Sequence, residues 1–142
     1  MITVVFDTSV IVSAIFWPHS SSRRALAGLA RRQYTTAISD GLMEEYAAVA
    51  GRLQEQFPRI NPAGALAWLR AKCFFVEPAA LGKQRSRDAK DDPMLATALA
   101  AGAQYLVARD KDLLCLHKPF GITIITPAEF LRQMESFGAP DR

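Results

Sequence analysis

The stretch Met1-Ile2-Thr3-Val4-Val5-Phe6-Asp7-Thr8-Ser9 decides the fold. Ile2 to Phe6 is a continuous run rich in apolar and β-branched residues, and it stops on an acid. Such a run predicts a buried strand. Working outward, Ser9 to Phe16 reads as helical and breaks at Pro18. Ser20, Ser21 and Ser22 can cap a helix to about Arg32, and Tyr34 to Ile38 reads as a second strand. Ser39 then caps a helix of about three turns to Leu53, and Asn61-Pro62 starts another. Phe74 to Glu77 reads as a strand, and Pro78 to Lys90 as a polar, basic loop. Pro93 to Ala101 is an alanine-rich helix ended by Gly102. Tyr105 to Ala108 and Ile122 to Ile125 are further strands, and Pro127 opens a last helix.

Strands separated by helices imply a parallel sheet with right-handed crossovers. The expected fold is α/β: three layers, α/β/α, around a central, mostly parallel sheet of 4–5 strands. Residues 1–137 are expected to form a single domain and residues 138–142 a loose tail. A length of 142 residues, half of them hydrophobic, suffices for one buried core and argues against disorder. No run of 18 apolar residues exists, so no transmembrane helix is expected. The start lacks the basic, then apolar, pattern of a secretory signal, so the expected location is cytoplasmic. Cys73 and Cys115 are too few for a disulfide framework, and both are expected to be buried free thiols. Seventeen basic residues against fourteen acidic ones leave a charge of +3, which permits a polyanionic partner without demanding one. His19 and His117 lie in loop-like surroundings with no metal-ligand spacing.

In parallel sheets ligands collect at the carboxyl ends of the strands. Asp7 follows the first strand directly, and Asp110 follows the fourth after Arg109. Asp91 and Asp92 stand at the entrance of the alanine-rich helix, and Glu44 and Glu45 on the helix after the second strand. Carboxylates drawn to one edge repel one another unless a cation sits between them. Mg²⁺ and Mn²⁺ prefer oxygen ligands, so a divalent-metal site is the economical reading. Leu42, Tyr46, Val49, Ala50 and Leu53 define an apolar stripe. Glu44 falls nearly opposite that stripe. Glu45 falls on its border, about 90° away, where it can reach a cleft. Pro93 suits a first helical position, which leaves two uses for the pair: Asp92 as N-cap with Asp91 free to point into the cleft, or both acids only complementing the helix dipole. Asp110 has two open uses, as a ligand or as the cap of a short helix over Lys111 to Leu114.

Four pieces of the chain taken in order resemble the PIN domain family, in particular its bacterial toxin components of toxin–antitoxin pairs. They are Val4-Val5-Phe6-Asp7-Thr8-Ser9-Val10, Ser39-Asp40-Gly41-Leu42-Met43-Glu44-Glu45-Tyr46, Asp88-Ala89-Lys90-Asp91-Asp92-Pro93-Met94-Leu95-Ala96-Thr97-Ala98, and Gly102 to Leu114 with Arg109-Asp110-Lys111-Asp112. The resemblance implies metal-binding and catalytic acids at Asp7, Glu45, Asp91 and Asp110, with Ser9 and Asp112 as supporting or partial ligands. It implies a Mg²⁺- or Mn²⁺-dependent ribonuclease in which one or two ions lower the pKa of a bound water and neutralise the scissile phosphate. It also implies a homodimer and a cognate antitoxin protein. Three positions depart from the family pattern: Ala108 replaces a hydroxyl residue, Arg109 a glycine, and Ser9 a frequent asparagine. The loss at Ala108 removes one hydrogen bond behind the acids and can weaken a metal site.

An acidic site repels RNA, so cations must offset it nearby. Arg85, Arg87 and Lys90, with Lys83, occupy the loop leading to Asp91, and Arg109 and Lys111 flank Asp110. These, with Arg23 and Arg24, are candidate phosphate contacts. Phe16, Trp17 and Pro18 form either a contact surface or local packing. No Walker A or GxGxxG pattern occurs. Neither the acidic pair of a receiver domain nor the Asp-x-Asp of a haloacid-dehalogenase-like phosphatase follows the first strand. The alternative that remains is a degenerate PIN domain acting as a non-catalytic RNA- or protein-binding module.

Overall fold

The computed structural model describes residues 1–82 and 92–138. Five strands form one sheet: β1 (Thr3–Phe6), β2 (Thr35–Ile38), β3 (Phe74–Phe75), β4 (Tyr105–Val107) and β5 (Thr123–Ile125). Their order is β3-β2-β1-β4-β5, and every neighbouring pair is parallel. The described helices are α1 (Thr8–Phe16), α2 (Ser21–Ala30), α3 (Asp40–Gln56), α4 (Ala63–Lys72), α5 (Asp92–Ala101), α6 (Lys111–Leu114) and α7 (Pro127–Gly138). The architecture is the expected three-layer α/β/α. In one layer α2 packs on both α1 and α7; α5 lies over β1, β2 and β4 in the other, and α3 touches both α1 and α5.

The central strand is buried on both faces, as its sequence requires: Val4, Val5 and Phe6 have no exposed surface. Phe130 of α7 sits fully buried among three rings. Its centroid lies 5.4 Å from Tyr34, 5.7 Å from Tyr105 and 6.2 Å from Phe6, all edge-on, the arrangement that ring quadrupoles favour. The Tyr34 hydroxyl donates to the Ala25 carbonyl at 2.6 Å, so its burial leaves no polar group unpaired. Gly28 makes room for that ring. A Cβ there would stand 2.5 Å from Tyr34 Cε2.

Several boundaries differ from the sequence expectation. α3 runs to Gln56 rather than Leu53, because Gln54, Glu55 and Gln56 are good helix formers and the stop comes at Phe57-Pro58. β3 holds only Phe74–Phe75, since it pairs with the last two residues of β2 and meets Pro78 soon after. α5 opens at Asp92, which puts Pro93 inside its first turn, where a missing N–H costs nothing. Cys73 is buried, and its thiol is pushed up to about 12 by burial. Cys115 corrects the expectation of two buried thiols: it is exposed, because it caps the end of the four-residue α6 at the surface. α7 extends to Gly138, and the rest of the expected tail lies outside the described residues. Among the described residues no helix is long and apolar enough to cross a membrane.

Candidate functional site

From β1 the chain builds outward to β2 and β3. It then crosses back to add β4 and β5 on the other side. The switch point therefore falls between β1 and β4, the place where open parallel sheets collect ligands at the strands' carboxyl ends. Phe6 and Val107 are register partners, and the Asp7 N–H donates to the Val107 carbonyl at 2.9 Å. Asp7 and the segment Ala108-Arg109-Asp110 thus leave the sheet side by side.

Asp7 is the N-cap of α1. Its Oδ1 accepts from the Val10 N–H at 3.0 Å and from the Ser9 hydroxyl at 2.7 Å. Its Oδ2 accepts from the Arg109 main-chain N–H at 3.3 Å. The residue is only 2% exposed. Burial raises its carboxyl pKa above the ordinary carboxylate value; the bonds from Ser9, Val10 and Arg109 pull the other way, and the nearby Asp110 charge adds to the rise.

Glu45 is half-buried on α3 and Glu44 is exposed, as the helix geometry requires. The Thr8 hydroxyl donates to the Glu45 carboxylate, tying the start of α1 to α3. One residue on, the buried Tyr46 hydroxyl donates to the Phe6 carbonyl, the last of β1. Burial holds the Tyr46 phenol well above its usual range, so it stays a donor. Together these two bonds tie α3 to the end of β1 and the start of α1, on either side of Asp7 in the chain.

Asp110 is half-buried and caps α6, its Oδ1 accepting from the Asp112 N–H at 2.9 Å. The cap reading is thereby met, and Asp110 remains near enough to Asp7 to repel its charge. Arg109 and Lys111 are exposed on either side of it. Asp91, Arg85, Arg87 and Lys90, with Lys83, lie outside the described residues. Arg23 and Arg24 each place one guanidinium N–H on a carbonyl, Arg23 on Ala14 at 3.1 Å and Arg24 on His19 at 2.9 Å, which leaves their other donors for further contacts.

Three positioning residues escaped the sequence reading: Thr8, Tyr46 and Thr97. The first two sit beside recognised acids, but their partners are 37 and 40 residues away. Thr97 is fully buried in α5 and ends a relay from the other helix. Leu42 N–H donates to the Ser39 hydroxyl at 3.3 Å, Ser39 pairs with Thr97 at 2.9 Å, and Thr97 donates to the Pro93 carbonyl at 2.8 Å. The signal was a lone hydroxyl in an alanine-rich apolar run.

A model of the PIN domain matches residues 3–112, which takes in Asp7, Glu45, Asp91 and Asp110. The chain belongs to the PIN domain family. No curated protein matches it. PIN domains are generally nucleases and typically use divalent metals, so the chain has a nuclease-type fold.

The residues of this PIN domain suit such an ion in kind. The acids offer hard carboxylate oxygens, and the donors described to Asp7 are all neutral, so its buried charge lacks a counter-charge among the described residues. Among those residues, no three of His, Cys, Asp or Glu stand grouped to hold a metal.

Proposed function

We propose that the chain is a Mg²⁺- or Mn²⁺-dependent endoribonuclease acting in the cytoplasm, as the toxin of a bacterial toxin–antitoxin pair. The buried Asp7 carboxylate at the switch point, with Asp110 beside it and neutral donors around it, carries this reading. Asp7, Glu45, Asp91 and Asp110 would hold the ion. Bound there, the cation would supply a more acidic water and neutralise charge on the scissile phosphate. The chain's own part is to place those acids. Ser9 and the Val10 N–H fix one oxygen of Asp7, and the Arg109 N–H fixes the other. Thr8 orients Glu45, and Asp112 holds Asp110 in its cap. Arg109 and Lys111 would meet phosphates beside the acids, with Arg85, Arg87 and Lys90 doing the same from their loop.

The test is Mg²⁺-dependent cleavage of single-stranded RNA by the wild type and by Asp7→Asn. The substitution should lower the rate more than about a hundredfold, as loss of a metal-ion contribution of several kcal/mol requires. Equal cleavage by both chains would sink the reading. The second reading, a non-catalytic RNA- or protein-binding PIN module, draws on Ala108 and Arg109, which depart from the family pattern beside Asp110. RNA binding with no metal-dependent cleavage would establish that module instead. Residues 1–137 acting as one domain, the homodimer and the antitoxin complex belong to the same proposal. Sedimentation of the chain alone and with the product of its neighbouring gene tests the assembly.

A further inference from the structure

Ser13, Trp17, Pro18, His19, Ser20 and Arg109 line an open groove of about 490 Å³ at the C-terminal end of α1. We propose that this groove is a subsite for one unpaired base of a single-stranded RNA, stacked on Trp17 with its phosphate at Arg109. The proposal rests on the ribonuclease reading and names where the substrate strand runs.

Continuity with the acid corner is the first support. Arg109 belongs to both places: it lines the groove, and its main-chain N–H holds Asp7 Oδ2. α1 connects them as well, with Asp7 as its N-cap and Trp17 as its C-cap. Nine helical residues separate the two places by about 14 Å; α1 itself is buried from Val10 to Phe16, so a strand passing from the acids to the indole crosses over Arg109 rather than over the helix.

The second support is the state of Trp17. It is 46% exposed, yet its ring is held edge-on to Phe57 at 5.8 Å and tilted against Phe16 at 6.3 Å. The turn behind it is pinned too. The Ser20 hydroxyl donates to the Trp17 carbonyl at 2.7 Å, and the Trp17 N–H donates to Ser13 at 2.9 Å. A ring already fixed in place loses little freedom when a base stacks on it. An exposed aromatic next to an exposed guanidinium is the pair that single-stranded nucleic acids need, one for a base and one for a phosphate. Bases inside a duplex are already stacked on their neighbours, so the groove should select unpaired RNA.

The test uses the full chain in metal-free buffer. Trp68→Phe leaves Trp17 as the one tryptophan of the two in the sequence. Its emission should fall saturably on titration with an uncleavable 2′-O-methyl single strand, and little with the same sequence as a blunt duplex. Trp17→Ala should weaken strand binding at least about fivefold, and Trp17→Phe should restore most of that loss. With Mg²⁺ and cleavable RNA, Trp17→Ala should raise KM by a similar factor and spare kcat, the mark of lost uniform binding. Equal quenching by strand and duplex overturns the subsite. So does an absence of quenching alongside intact Asp7-dependent cleavage, which would leave the nuclease standing without this subsite. Quenching by the strand with no metal-dependent cleavage supports the subsite and overturns the nuclease.

Discussion

Phe6 and Asp7 are chain neighbours, and they belong to regions held by opposite physics. Beneath Phe6 lies a cluster of rings that meet edge-on or tilted, and the Tyr34 hydroxyl has its carbonyl. Around Asp7 a carboxylate is taken out of water and given only neutral donors and a like charge nearby. The aromatic region stabilises the molecule, and the acid corner costs it stability. That contrast shows why the acid can be kept: β1 is anchored by its apolar residues firmly enough to carry a charge at its tip.

The contrast breaks most visibly at Phe130, which touches three of the rings. Phe130→Ala should cost about 3–5 kcal/mol, a large share of a typical domain's stability. Urea unfolding should show the midpoint falling with an unchanged slope. A loss under about 1 kcal/mol would mean that the ring cluster is not the anchor.

Asp7→Asn should do the reverse while abolishing cleavage. Asparagine caps a helix about as well as aspartate, so α1 keeps its start. The sign follows from the raised pKa. The folded state holds the Asp7 proton more tightly than the unfolded state does. The penalty is therefore absent below the unfolded carboxylate range, grows as pH rises towards the folded pKa, and is complete above it. Asp7→Asn should raise Tm by a few degrees at pH 7 and lose that advantage in acid. Mg²⁺ should narrow the gap by stabilising the wild type. A variant less stable than wild type at pH 7 would show that the three hydrogen bonds outweigh desolvation.

Thr36 sharpens the comparison at the smallest scale. Its hydroxyl is buried in β2, and among the described residues it is the side-chain polar atom with no hydrogen-bond partner. Thr36→Val replaces an unpaired polar group with an apolar one of like shape. It should add about 1 kcal/mol, read as a raised urea midpoint. No gain would mean that the hydroxyl is satisfied.

Much of this architecture was legible in the chain because it is local. Ser20, Ser39 and Asp110 each cap the helix that follows them, and the hydrogen bond spans only two or three residues. The stripe on α3 separated Glu45 from Glu44 for the same reason, since a helix repeats its own geometry. Cys115 was misread because an apolar sequence neighbourhood does not say which side of a four-residue helix faces out. β3 was misread because its length depends on how far β2 extends beside it.

The sequence alone determined the strands, the caps and the order of the acids, since these follow from backbone preference and periodicity over a few residues. Only the tertiary structure decided that the switch point falls between β1 and β4. It also decided that Asp7 is dry and neighboured by Asp110, that Thr8 bonds Glu45, and that Tyr46 ties α3 to the end of β1. Burial and repulsion are properties of distance in space, and residues a hundred positions apart acquire that distance only when the sheet assembles.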